Sequence, residues 1–100
     1  MIIIITVNNN EINLVDGLII INNEFYVSLI DVAIILNINK INITYDINNN
    51  IAKLTYKNNT IIITNNVMVK GIVYTPFNVL ITDILNGNYF ESDNNINITI

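Results

Sequence analysis

Carboxylates beside asparagine-rich turns are the side chains of this sequence that come nearest to a metal site. Asp46 precedes the run Asn48–Asn50, and Asp93 precedes Asn94 and Asn95. Either group could offer oxygen ligands to calcium. Neither has the spacing of an EF-hand loop, in which a glycine stands mid-loop and a glutamate closes it. The sequence therefore favours ordinary turns and predicts no metal site, with calcium binding as the alternative.

Covalent and acid–base catalysis also have few candidates. Ser28 and Ser92 lack an imidazole to activate them, because the chain contains no histidine. Glu91 and Asp93 lie two positions apart on an apparent strand and so share a face, as a carboxylate pair for general acid–base chemistry would. Such a pair is more often a solvated strand edge. We therefore expect no catalytic residues, no cofactor and no enzyme activity.

Aromatic side chains offer another route to ligand binding, since exposed rings can form a platform for a carbohydrate. Most of the aromatic residues fall on positions that the patterns place inward, which favours a role in the core. They are Phe25, Tyr26, Tyr45, Tyr56, Tyr74, Phe77, Tyr89 and Phe90.

Three Asn-x-Thr sequons, which begin at Asn42, Asn58 and Asn97, are close to the number expected by chance from 22 asparagines.

The composition restricts the classes of partner. The 100 residues include 25 Ile and 22 Asn, and with 52% hydrophobic residues the chain is too apolar for disorder through low hydrophobicity. Four lysines, no arginine and a net charge of −4 argue against nucleic acid and against an anionic membrane surface. The absence of cysteine excludes disulfides and thiolate metal sites. A protein or glycan partner and self-association stay open.

The first apolar run, Ile2–Val7, is too short to cross a bilayer. It also lacks the charged start, longer apolar core and cleavage site of a signal peptide. We expect no membrane insertion. Either the chain stays in the cytoplasm, or a leader and neighbouring domains lie outside it.

Asparagine pairs and triplets divide the chain into short β-branched runs, because asparagine tolerates the left-handed backbone of tight turns. In the run Ile41–Asp46, apolar residues alternate with polar ones, which predicts a strand with one wet face. The predicted strands are Ile2–Val7, Glu11–Leu14, Leu18–Ile21, Glu24–Val27, Ile41–Asp46, Ile51–Tyr56, Thr60–Thr64, Val67–Lys70, Ile72–Tyr74 and Ile96–Ile100.

A first helix is predicted over Ser28–Asn37, with Ser28 as N-cap, Asp31 three residues later as in a capping box, and Asn37 at the end. Its back is apolar apart from Asp31, and its apolar members are Ile30, Ile34 and Ile35. A helix that is apolar nearly all round is buried, so we expect the sheet to enclose it. The alternative is that Ile30 and Ile34 form an exposed patch that pairs two chains.

A second helix is predicted over Thr75–Asn86. Thr75 would be the N-cap, Pro76 would occupy the first helical position, and Asn86 with Gly87 would end the helix. The back of this helix is mostly polar, with Asn78, Thr82 and Asp83. We therefore expect it to lie at the periphery of the fold.

The two helices carry the same inward pattern at a constant offset. Leu29, Val32, Ala33 and Leu36 in the first helix correspond to Phe77, Leu80, Ile81 and Ile84, each 48 positions later. Tyr26 and Tyr74 share this offset, and Asp46 and Asp93 each precede a turn and a closing strand. We predict an α+β fold of tandem hairpin–helix–hairpin units, about 18–57 and 66–100, after an N-terminal hairpin in one domain, 1–100. Chance similarity in so isoleucine-rich a chain is the alternative.

The segment from Ile21 to Asn37 resembles the copper amine oxidase N-terminal, or stalk, domain family. Val27-Ser28-Leu29 and Thr75-Pro76-Phe77 stand for its Val-Pro-Leu. Val32-Ala33, Leu36-Asn37 and Tyr45-Asp46 stand for its Ile-Ala, Leu-Gly and Trp-Asp, and Thr6–Ile12 is similar to its first hairpin. The arginine that follows Pro-Leu in the family is Ile30 here and Asn78 in the second copy, and the tryptophan is absent.

The resemblance implies an antiparallel sheet curled around a short helix, in a module appended to bacterial surface or secreted proteins. It also implies a module without copper or oxidase chemistry. The function we expect is therefore a non-catalytic structural or interaction module, a spacer or adhesive domain, located extracellularly or at the cell surface. The alternative is a small carbohydrate- or peptide-binding domain that uses an exposed aromatic strand or an open sheet edge.

Overall fold

The computed structural model describes residues 3–84, 88–92 and 94–99. Antiparallel strands dominate these residues, one sheet is curled into a half-barrel, and two helices complete the fold. The elements in chain order are β1 (Ile4–Val7), β2 (Asn10–Ile12), β3 (Ile19–Ile21), β4 (Glu24–Ser28), α1 (Leu29–Leu36), a 3₁₀ turn (Lys40–Asn42), β5 (Ile43–Asp46), β6 (Ile51–Tyr56), β7 (Asn59–Ile63), β8 (Val67–Val69), β9 (Ile72–Pro76), a π-helix (Val79–Ile84), β10 (Asn88–Ser92) and β11 (Asn95–Thr99).

The strands form three sheets, in the orders β10-β11-β1-β2, β3-β4-β9-β8 and β5-β6-β7. Every predicted strand is present, and β6 matches at both ends. The other described ends shift by at most two residues, and the predicted ends at Ile2 and Ile100 lie outside the described residues. Two features were not predicted. Strand β10 adds an edge to the first sheet, and β1 pairs with β11 in parallel, whereas the other pairs of the described residues are antiparallel.

Tight turns connect four of the hairpins, and three of them contain asparagine, as the asparagine pattern predicts. The two turn residues have positive φ in each, at Asn8-Asn9, Asn22-Asn23, Lys57-Asn58 and Lys70-Gly71. Two central residues with positive φ are typical of the type I′ turn, whose twist matches that of paired strands. The ladder closes on both sides of each turn, as in the pair Ile21 and Glu24.

Helix α1 begins and ends where the sequence predicts. The Ser28 Oγ accepts a hydrogen bond from the backbone N–H of Asp31 at 3.2 Å. At the other end, Asn37 is left-handed (φ 56°, ψ 46°). The backbone N–H of Asn37 donates to the Ile34 carbonyl, and that of Ile38 donates to the Ala33 carbonyl. This double closure satisfies the last carbonyls of the helix.

The predicted start of the second helix is wrong. Thr75 and Pro76 belong to β9, where Thr75 pairs with Val27 and Pro76 with Tyr26. Thr75 Oγ1 is buried without a hydrogen-bond partner among the described residues, so it caps no helix. Pairing with β4 keeps the chain extended as far as Pro76. Proline is tolerated there because it lies at the end of the strand. The helical segment that follows is a π-helix over Val79–Ile84, and the predicted end at Asn86 and Gly87 lies outside the described residues.

The two helices and the three sheets share one apolar core, and both helices contribute to it. Its fully buried members are Ile5, Val27, Val32, Ile35, Leu36, Ala52, Leu54, Ile63, Phe77, Leu80, Ile81, Ile84, Ile96 and Ile98.

The expectation that the whole back of the first helix is buried is wrong at Ile30, which is 48% exposed, and Ile34 is only half-buried. On the back of the second helix Asn78 is exposed, as expected, and the side chains of Thr82 and Asp83 lie outside the described ones. The buried residues on the back of α1 are Ile35 and the polar Asp31. A buried carboxylate needs hydrogen-bond donors, and these come from a loop that packs on the helix.

Candidate functional site

Asp31 is a fully buried charged residue, with no exposed surface. Its carboxylate accepts hydrogen bonds from the backbone N–H groups of Val15 at 2.6 Å, Asp16 at 2.9 Å and Gly17 at 3.0 Å. These bonds fix the segment between β2 and β3 on the first turn of α1. Charge-assisted bonds of this kind are among the stronger ones in proteins. The carboxylate therefore ties a loop to a helix.

The sequence pattern predicts Asp31 as part of a capping box and does not indicate this role. In a capping box the acidic side chain would bond back to the N-cap N–H. Here only the backbone N–H of Asp31 follows that pattern, because the carboxylate turns to the loop. One signal in the sequence bears on this: Asp16-Gly17 indicates a sharp turn, and Gly17 has φ +76°. Nothing in the sequence indicates that this turn packs against Asp31.

Tyr74 lies close to the two acidic residues of this region. Burial of its hydroxyl raises the pKa of Tyr74 above 10.0, and the charges of Asp16 and Asp31 raise it further. The Asp16 Oδ2 atom is buried without a hydrogen-bond partner among the described residues. This environment opposes deprotonation of the phenol, so Tyr74 is unsuited to act as a base at neutral pH.

Ser28 serves as the helix cap that the sequence predicts, not as a nucleophile. It is buried, and its Oγ is engaged by the Asp31 N–H. Ser92 lies on β10, and Glu91 lies beside it on the same strand. Asp93, the other half of the proposed carboxylate pair, is outside the described residues.

Asp46 holds the β5–β6 turn, as the turn interpretation predicts. Its carboxylate accepts bonds from the backbone N–H of Asn48 at 3.0 Å and from that of Asn49 at 3.4 Å, and from the Asn49 side-chain amide at 2.8 Å. The amide of Asn49, the two backbone donors and the charge of Lys53 lower the pKa of Asp46 below 3.8. These oxygens are directed at N–H donors of the turn itself.

Asn50 and Asn66 join two distant turns, and no pattern in the sequence predicts this link. The Asn50 side chain donates to the Asn66 carbonyl at 3.0 Å, and the Asn66 side chain donates to the Asn50 carbonyl at 3.2 Å. The Asn66 amide also donates to the Ile63 carbonyl at 2.9 Å. Asn66 is buried, so these bonds fix the path from β7 to β8.

Most of the aromatic residues whose side chains are described turn toward the core. Phe77 and Tyr74 are buried, and Phe25, Tyr45 and Tyr56 pack against the core from partly buried positions. Lys57 Nζ lies 5.3 Å from the centroid of the Tyr56 ring, within range of a cation–π contact. Tyr74 is buried, and Tyr26, Tyr45 and Tyr56 are half-buried, so these four form no open platform.

Residues 3–84, 88–92 and 94–99 contain no group of three or more Asp or Glu side chains that could hold a metal ion. None of their helices is both long and apolar enough to cross a membrane. Comparison of the chain with protein-family models, with curated proteins and with solved structures finds no match.

Proposed function

We propose that the chain is a non-catalytic structural or interaction module of an exported or surface bacterial protein, a spacer or an adhesive domain. The observation that carries this proposal is how its buried polar side chains are used. Asp31, Ser28 and Asn66 each bond to backbone groups that define a loop, a helix end or a turn. Catalytic sites instead leave polar groups directed at a cleft, with pKa values suited to proton transfer.

The similarity to stalk domains supports the bacterial surface location, through the motif around Val27-Ser28-Leu29 and the pair Tyr45-Asp46. Two departures from the motif fit this chain's own packing. Ser28 replaces the family's proline and caps α1 through its Oγ, which proline could not do. Tyr45 replaces the tryptophan, and its hydroxyl donates to Asn50 Oδ1 at 2.7 Å across the β5–β6 turn.

The chain is further proposed to consist of two copies of one hairpin–helix–hairpin unit, with the sheets curled around the first helix. Strands β3 and β4 (Ile19–Ile21 and Glu24–Ser28) and strands β8 and β9 (Val67–Val69 and Ile72–Pro76) have bounds that differ by a constant 48 positions. The inner strands of the two copies pair with each other, β4 with β9. Later elements depart from this spacing, which fits the shorter second copy.

Surface labelling of intact cells tests the location and role together. An antibody raised against the purified chain should bind intact cells of the bacterium that produces it, and external protease should remove the signal. Thermal melting of the purified protein should be unchanged by calcium, copper or zinc after chelation, since a ligand stabilises a fold in proportion to its occupancy. Labelling that appears only after permeabilisation would contradict a surface module.

A carbohydrate- or peptide-binding domain is the second candidate, and one cleft favours it. A depression of about 370 Å³ is lined by Thr44, Tyr45, Asp46, Asn49, Ile51 and Lys53. An aromatic ring beside amide, carboxylate and ammonium groups is a combination that suits polar ligands. Thermal melting in the presence of a panel of oligosaccharides tests it. A rise of several degrees that is lost in Tyr45→Ala would favour binding over a spacer role.

A further inference from the structure

Ile30 stands on the outer side of α1 between two apolar grooves. One groove, of about 190 Å³, is lined by Leu29, Ile30, Ile43, Thr44 and Tyr45. The other, of about 250 Å³, is lined by Asp16, Ser28, Leu29, Ile30, Gly71, Ile72 and Val73. Ile30 itself is 48% exposed. Single exposed apolar residues are common, but one flanked by two apolar grooves forms a continuous patch.

The first groove follows a strand edge. Ile43 and Tyr45 point to one face of β5 and Thr44 to the other, so a cavity that touches all three runs along the edge of the strand. Among the described residues β5 pairs with β6 alone, and its other edge has no strand beside it. Unpaired N–H and C=O groups on such an edge are a template for a further strand. The occupant that this groove fits is therefore an extended strand with apolar side chains.

The second copy of the proposed repeat supplies an internal comparison. Counted 48 positions along the chain, Ile30 corresponds to Asn78, and Ile72 corresponds to Glu24. A groove of about 280 Å³ is found there, lined by Ile20, Asn23, Glu24, Phe25, Asn78 and Glu91. The two places share their position in the proposed repeat but differ in chemistry, since the groove beside Ile72 is lined by one acidic residue, Asp16, and the other by two, Glu24 and Glu91. The groove along β5 has no charged lining residue, so it suits a partner that also has a net negative charge.

We propose that the edge of β5 and Ile30 form a docking surface for a second copy of this chain. This proposal deepens the interaction role proposed above and rests on it. The two β5 strands pair antiparallel around a two-fold axis, with Thr44 of one copy opposite Thr44 of the other. Such an interface uses the same patch on both subunits and closes as a dimer.

The sequence of β5 fits this register. Ile43 of each copy lies opposite Tyr45 of the other on the inner face, and β-branched residues pair well with aromatic ones. Asp46 is the one charged residue of β5, and it stands at the end of the strand. In an antiparallel pair the two Asp46 carboxylates therefore lie at opposite ends, each across from Asn42, and do not face each other. The two Ile30 side chains flank the junction on the inner face, where each can fill the groove of the other copy.

The interface is small, because it consists of four-residue strands and one helix position on each side. Interfaces below about 1,200 Å² are weak or transient. We expect a dissociation constant between about 1 µM and 1 mM. Sedimentation equilibrium of the purified chain from about 10 µM to about 1 mM should therefore show the mass rising from monomer toward dimer.

Two substitutions should weaken the dimer without harming the fold. Ile30→Asn installs the residue found at the corresponding position, and Thr44→Lys places two like charges opposite each other on the axis. Each should raise the dissociation constant about tenfold or more. The matched control is Ile62→Asn, since Ile62 on the edge strand β7 is 58% exposed and belongs to neither groove. It should leave the constant unchanged, and circular dichroism verifies that all three variants fold.

Cysteine crosslinking tests the register directly, because the chain has no cysteine of its own. Thr44→Cys should form a disulfide-linked dimer under mild oxidation much faster than Thr60→Cys, which sits exposed on β7. A chain that stays monomeric up to about 1 mM, equal crosslinking at the two positions, or a dimer insensitive to both Ile30→Asn and Thr44→Lys would overturn the proposal. These failures are separate from loss of surface labelling, which tests the module itself.

Discussion

Val27 and Thr75 face each other across β4 and β9, and they stand 48 positions apart in the chain. The neighbouring pairs are Tyr26 with Pro76 and Ser28 with Tyr74, so the register reads the same from either strand. Both central residues are fully buried. This pair therefore marks the centre of the sheet that joins the two halves of the chain.

Truncation of Phe77 should be far more damaging than truncation of Leu29, although the proposed repeat places the two residues at corresponding positions. Phe77 is 1% exposed, whereas Leu29 is only partly buried. Phe77→Ala should cost about 3–5 kcal/mol of unfolding free energy, and Leu29→Ala about 1–2 kcal/mol. Urea denaturation measures both. Equal losses would contradict the different depths of these side chains.

The positive φ of the hairpin turns should make them intolerant of β-branched residues. Asn23 has φ 67° at the second position of its turn. Asn23→Val should lower stability by about 1–2 kcal/mol, because a β-branched side chain is far less compatible with the left-handed region than asparagine is. Glu24→Val, at the next and exposed strand position, should change stability by less than about 0.5 kcal/mol. Similar effects of the two substitutions in urea denaturation would argue against the turn geometry.

The contribution of Asp46 to the stability of the β5–β6 turn should depend on pH in the acid range. Its pKa is lowered from 3.8 in the folded protein, chiefly by the Asn49 amide. A lowered pKa means that the carboxylate stabilises the fold fully above pH 3.8, and that this contribution is lost as pH falls through the lower, folded pKa. The difference in unfolding free energy between wild type and Asp46→Asn should therefore shrink as pH falls from about 6 toward 2. A constant difference would show that the charge makes no contribution.

Tyr74 should make the stability of the protein depend on pH in the alkaline range. Its pKa is raised above 10.0, mainly by burial and further by Asp16 and Asp31. The stability associated with the neutral phenol is complete below pH 10.0 and is lost as pH rises through the folded pKa. Tyr74→Phe cannot ionise, so its thermal melting temperature should fall less than that of wild type between pH 9 and pH 11. An equal fall in melting temperature for the two proteins would show that the Tyr74 hydroxyl lies in a more polar environment than the structure gives it.

Local signals account for what the sequence predicts well. The strands follow from alternating β-branched runs, and α1 follows from Ser28 and Asn37, because caps and turns depend on neighbouring residues. The errors arise from contacts between distant segments. Thr75 has the side chain of a cap, yet it is held in β9 by pairing with Val27. The parallel pairing of β1 with β11 joins the two ends of the described chain, and no local pattern specifies it.

The hydrogen bonds that the Asp31 carboxylate accepts from the loop were not predicted, for the same reason. Its donors at Val15, Asp16 and Gly17 lie at least 14 positions away. From the sequence alone, an acidic residue on the back of an apolar helix is expected to face solvent. Only the packing of the loop on α1 makes burial of the carboxylate favourable.

The free energy of unfolding of Asp31→Ala tests most directly whether the polar groups of this chain serve its structure. Removal of the carboxylate leaves three backbone donors without their acceptor, so stability should fall by at least about 3 kcal/mol. Glu24→Ala, at an exposed position, is the control and should change stability by less than about 0.5 kcal/mol. Residues kept for chemistry commonly cost stability, and their replacement often stabilises a protein. An Asp31→Ala variant as stable as wild type, or more stable, would contradict the structural role proposed for this chain.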